Sequence, residues 1–151
     1  MRDLLTGTWS VLNLVWFVMF FSVLFYAVLG LFIKGYVGIN LNEETLSRIR
    51  TLFYVLSVGA ITYSVYGRRV YMGRAREKKK DLSTALELYK NAVVVSVGVS
   101  NSIGVLGFLL LVLGDRFYGF PLLITAGLTM LYHRPRRSEM LSLTKEGQKR
   151  P

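Results

Sequence analysis

Long stretches without a single charged side chain restrict the fold of this chain more than any other feature. Residues 8–33 contain no Asp, Glu, Lys or Arg, and neither do residues 91–114. As an α-helix the first stretch would extend ~39 Å, more than the ~30 Å hydrocarbon core of a bilayer. Lipid offers backbone N–H and C=O groups no partner, so a segment of this kind must satisfy them internally, as a helix.

The charge lies between these stretches. Nineteen Lys and Arg stand against nine Asp and Glu, a net charge of +10, although 52% of the 151 residues are hydrophobic. A soluble domain intersperses charge among its apolar positions, whereas here the two are segregated. The expected fold class is all-α: an integral membrane four-helix bundle of two antiparallel transmembrane hairpins, with the second and third helices extended on the cytoplasmic side. One domain covers residues 1–137, with spans at about 8–33, 46–67, 91–114 and 117–133 and a basic hairpin over 67–91. Residues 138–151 read as a flexible, basic, cytoplasmic tail. Arg2 ahead of the first span raises the possibility of a signal peptide. That span is too long for a signal core and no small-x-small site closes it, so a retained anchor is expected.

Local signals place the ends of the helices. Asn42 and Asp81 are N-cap candidates, with Glu43 and Glu44 in the first turn that follows Asn42 and Glu44 spaced to pair with Arg48. Leu82, Ala85, Leu86, Tyr89 and Val93 recur at helical spacing, which predicts one long helix over 82–113. Gly114, Asp115 and Arg116 mark a tight turn. Pro121 suits the first turn of a helix over 120–134, and Pro135 prevents its continuation. Such a helix covers only ~22 Å, so it must thin the bilayer or lie against its neighbours.

Lysine and arginine in short loops set orientation. With both termini cytoplasmic, that side receives fifteen of the nineteen: Arg2, eight in the central segment and six in the tail. Lys34, Arg48, Arg50 and Arg116 remain for the other side. The predicted location is therefore the cell (inner) membrane, multi-pass, with N- and C-termini inside.

Few groups are available for chemistry. Without cysteine there are no disulfides, thiolate metal sites or iron–sulfur ligation by this chain. With one histidine, a bis-histidine haem within a single copy is excluded as well. No cofactor, metal or catalytic residue is predicted. No carboxylate lies inside an apolar run, which argues against a proton-coupled carrier acting alone. His133, beside Tyr132 and Arg134, reads as an ordinary interfacial histidine. Arg48 and Arg50 are expected to pair with Glu43 and Glu44. Ser96, Ser100, Gly104 and Gly107 form a small-residue groove suited to close helix packing, and Asn101 and Asn13 are buried polar residues suited to bonding across a helix pair.

Residues 101–108, Asn-Ser-Ile-Gly-Val-Leu-Gly-Phe, resemble the ion-carrying helix of rotary ATPase proteolipid subunits, whose larger members also have four spans. The resemblance covers eight residues of 151. It implies that the ion-binding carboxylate of that family falls at Asn101, where this sequence lacks it.

Arg68, Arg69, Arg74, Arg76, Lys78, Lys79 and Lys80 lie just beyond the second span. They are predicted to contact anionic phospholipid headgroups or an acidic partner, each gaining ~1 kcal/mol near an anionic surface. Nucleic acid is not an expected partner, because no reading module accompanies the charge. The function expected is a noncatalytic structural or accessory subunit of a membrane complex, associated with other subunits or with itself through the small-residue groove. A small oligomeric channel or carrier is the alternative, and a proteolipid-like subunit without its carboxylate a distant one.

Overall fold

The computed structural model describes residues 2–32, 41–78 and 81–145, and all regular structure among them is helical. Four helices, α1 (Arg2–Phe32), α2 (Glu43–Glu77), α3 (Leu82–Val112) and α4 (Arg116–Tyr132), make a bundle, and a short α5 (Arg137–Lys145) follows. The connection expected over 34–42 falls outside the described residues up to position 40. So do Lys79, Lys80 and the tail beyond Lys145.

Three helices, α1, α2 and α3, are long and apolar enough to cross a membrane. At ~1.5 Å per residue, the 35 residues of α2 extend ~52 Å and the 31 of α3 extend ~46 Å, so both outrun the hydrocarbon. The 17 residues of α4 extend ~26 Å, and α4 is not among the three.

Capping explains where the helices begin. Asn42 is the N-cap of α2, its side chain accepting from the Thr45 N–H at 2.9 Å. Asp81 caps α3 in the same way and also accepts from the Thr84 hydroxyl. That hydroxyl, followed by the backbone N–H, holds the Asp81 carboxyl below the usual carboxylate range. At the far end of α3, Gly114 takes a φ of +89°. The Gly114 N–H donates to the Leu111 carbonyl and the Asp115 N–H to the Leu110 carbonyl, the paired bonds of a Schellman turn.

The fourth helix starts earlier than the sequence suggested, at Arg116 rather than residue 120. Pro121 is therefore its sixth residue. The proline cannot donate to the Phe117 carbonyl, so α4 lacks one hydrogen bond in its second turn. The missed signal was Asp115, whose carbonyl accepts the first helical bond, from Gly119, while its carboxylate is engaged elsewhere.

At the centre of the bundle, α3 packs against α1, α2, α4 and α5, while α1 and α2 scarcely touch each other. The reason is composition. Ser96, Ser100, Gly104 and Gly107 are all buried, and they let backbones approach α3 on several sides. A Cβ on Gly107 would sit 2.9 Å from the Gly119 carbonyl oxygen of α4, so these two helices meet glycine to glycine. Trp16 pins α1 to α4. Its indole N–H donates to the Met130 carbonyl at 2.9 Å, one of the last four carbonyls of α4 that lack a helical donor.

The tail was expected to be flexible from residue 138. Instead residues 137–145 form α5, with Met140 and Leu143 buried. The cause lies in the part of α3 that precedes its apolar run. There Ala85, Leu86 and Tyr89 form a buried stripe that Val93 continues into the run, and α5 is packed on α3. Tyr89 ties the connector down: its hydroxyl donates to the Arg136 carbonyl at 3.2 Å and lies 3.3 Å from the Arg136 N–H.

Candidate functional site

Polar side chains inside an apolar bundle are the natural places to look for function, and among the described residues each fully buried one has a hydrogen-bond partner. Ser96 Oγ donates to the Ala92 carbonyl at 2.7 Å and reaches the Ser64 carbonyl at 3.4 Å. Ser100 Oγ donates to the Ser96 carbonyl. With Gly104 and Gly107 beside α1 and α4, the small-residue groove is filled by the chain's own helices. It is not the outward-facing surface that association with another protein through this groove would need. Asn101 accepts from the Ser22 hydroxyl of α1 at 2.8 Å. The partner on α1 is thus Ser22, not Asn13, which is half-buried nine residues earlier. Ser102, on the outer side of α3, is exposed and bonds the Val99 carbonyl.

The polar cluster at the basic end was not foreseen as a cluster. Arg68, near the end of α2, is largely covered and donates to Glu139 of α5 at 2.8 Å. His133 is fully buried, which corrects the expectation of an interfacial histidine. Its Nε2 lies 3.1 Å from Ser64 Oγ and its Nδ1 lies 3.4 Å from Arg68 Nη1. The contact with arginine sets the directions of these hydrogen bonds. Arginine can only donate, so Nδ1 accepts and Nε2 carries the proton. Nε2–H therefore donates to Ser64 Oγ, and the Ser64 hydroxyl donates to the Ile61 carbonyl at 2.9 Å. The chain of bonds joins α2, the end of α4 and α5.

At the opposite end, Arg50 keeps a long helix-start pair with Glu43 and makes a closer one that the sequence did not suggest. Its Nε donates to Asp115 at 2.8 Å, its guanidinium carbon lies 3.8 Å above the Tyr118 ring, and Glu43 is only a 3.5 Å contact. Tyr54 adds a bond to the Tyr118 carbonyl. Together these fasten α2 to the turn between α3 and α4, and they account for the Asp115 carboxylate that does not cap α4. Arg48 pairs with Glu44 on the exposed surface. The sequence signal for the longer-range pair was the lone acid in the turn, which needed a cation.

Of the basic residues, Arg69, Arg74, Arg76 and Lys78 are exposed, and Arg68 is committed to the cluster. Lys79 and Lys80 lie outside the described residues. Among the described residues, no group of three or more His, Asp or Glu is arranged to hold a metal ion. No known protein family matches the chain, and neither a curated protein nor a solved structure is similar to it. Fold and composition define a helical membrane protein, and its class is carried by the three long apolar helices.

Proposed function

We propose that this protein is a noncatalytic structural or accessory component of a membrane assembly. The observation that carries the reading is that the buried polar groups serve helix packing: no buried side-chain nitrogen or oxygen among the described residues is without a hydrogen-bond partner. A reactive or transporting site usually keeps a polar group poised for a ligand. Because the small-residue groove is taken up internally, the surface for a partner is the outer face of the bundle. Leu14, Phe21 and Phe25 of α1 and Val55 and Val58 of α2 are exposed there. In this reading the protein lies in the cell membrane with both termini cytoplasmic, and its basic end rests on anionic headgroups.

Gentle solubilisation of native membranes tests the proposal. The expected result is recovery in a complex larger than one chain, with stoichiometric companions or further copies. Recovery solely as an isolated monomer would overturn it.

A further inference from the structure

A groove of about 370 Å³ opens at the basic end of the bundle, beside the His133 cluster. One wall is a single face of α2, made of two adjacent rows at three- and four-residue spacing: Val65, Arg68, Met72 and Arg76, and beside them Arg69 and Gly73. The other wall is formed by Tyr132, Arg136 and Glu139, from the end of α4, the connector and the start of α5. The groove exists because α5 is folded against the bundle instead of trailing away.

Four guanidinium groups line this space with one carboxylate. Glu139 is already paired with Arg68. Arg69, Arg76 and Arg136 are exposed, and no carboxylate among the described residues lies within ion-pair distance of them. Like charges gathered around a concavity repel one another, and an anion in the groove reverses that cost. Arginine's planar fork matches the oxygens of a phosphate, which it can hold with two parallel hydrogen bonds. No side chain and no other helix lies within 4 Å of where a Gly73 Cβ would stand, so the α2 wall is open at that position. Val65, Met72 and Tyr132 give the groove an apolar side, as a phosphate attached to hydrocarbon would require.

We infer that this groove binds a phosphate group, presented by an anionic lipid, with Arg69, Arg76 and Arg136 as its ligands and the Arg68–Glu139 pair holding the two walls together. The inference rests on the reading of the basic end as the part that meets lipid headgroups, and narrows it from a diffuse surface to one site. The full chain in mild detergent, titrated with phosphatidic acid, phosphatidylcholine or glycerol phosphate and followed by native mass spectrometry, provides the test. One phosphatidic acid per chain is expected to bind in preference to phosphatidylcholine. Arg69→Gln/Arg76→Gln is expected to weaken it about tenfold or more, whereas Arg74→Gln/Lys78→Gln, which removes as much charge outside the groove, stays within about threefold. Equal losses from the two pairs, at matched helix content by circular dichroism, would overturn the site in favour of general surface attraction. Glycerol phosphate binding as tightly as phosphatidic acid would overturn the lipid assignment. Alkaline carbonate extraction of the same protein reads membrane integration separately. A chain that resists extraction yet shows equal losses fails on this proposal alone.

Discussion

Single hydrogen bonds carry unusual weight in this protein because their surroundings offer no substitute. The Trp16 indole is 5% exposed and supplies the Met130 carbonyl with its donor. Trp16→Phe keeps an aromatic ring stacked near Phe20 but deletes the N–H. The carbonyl is then left unpaired beside apolar neighbours, at a cost of about 1–3 kcal/mol. For a chain of this size that corresponds to a fall in Tm of roughly 2–12 °C, measurable by thermal unfolding in detergent. An unchanged Tm would mean that water or another donor reaches this carbonyl. The Ser22–Asn101 bond belongs to the same category: it joins elements far apart in sequence through one polar contact.

The helices themselves were largely legible in the sequence, and the contacts between them were not. Absence of charge gave the apolar runs, Asn42 and Asp81 gave two starts, and the stripe from Leu82 to Val93 gave the long third helix. Each of these signals is local. Which helix would fill the Ser96–Gly107 groove depends on residues on other helices, such as Val23, Ala126 and Gly119, whose spacing in sequence carries no trace of their meeting. The short α5 was missed because six of its nine residues are polar or charged, while the two residues that bury it, Met140 and Leu143, matter only once α3 presents a surface to cover. Glycines in α3 discriminate between propensity and packing. Gly107→Ala places a Cβ 2.9 Å from the Gly119 oxygen and 3.0 Å from the Leu123 nitrogen, backbone atoms that move only if α4 moves. Gly98→Ala meets nothing within 4 Å. The first is expected to destabilise by about 1–3 kcal/mol through overpacking, and the second to be neutral or to stabilise by up to ~1 kcal/mol through helix propensity. Parallel thermal melts of the two variants check the contrast, and similar changes would count against a tight α3–α4 crossing.

For the whole molecule, the unequal distribution of charge decides how the bundle should sit. The end where α2 and α3 outrun the apolar layer carries Arg68, Arg69, Arg74, Arg76 and Lys78, joined there by Arg136 and Arg137 from the segment after α4. The opposite end carries Arg48, Arg50 and Arg116, of which Arg50 is neutralised by Asp115 and Arg48 by Glu44. Folding therefore sharpens the asymmetry already present in the residue counts, because Arg48 and Arg50 of the second end are paired, whereas at the first end Arg68 alone of the described cations has a carboxylate within ion-pair distance. Transfer of the richer end across a membrane is opposed by each unpaired cation, so that end is expected to remain cytoplasmic. The absence of cysteine makes this directly measurable. Arg74→Cys introduces a lone thiol at an exposed position of α2, and Arg48→Cys places one at the opposite end. In intact cells a membrane-impermeant maleimide is expected to label the Arg48→Cys protein and spare the Arg74→Cys protein, with both labelled after permeabilisation. Labelling of the Arg74→Cys protein from outside would invert the orientation and with it the assignment of the basic groove to the cytoplasmic leaflet.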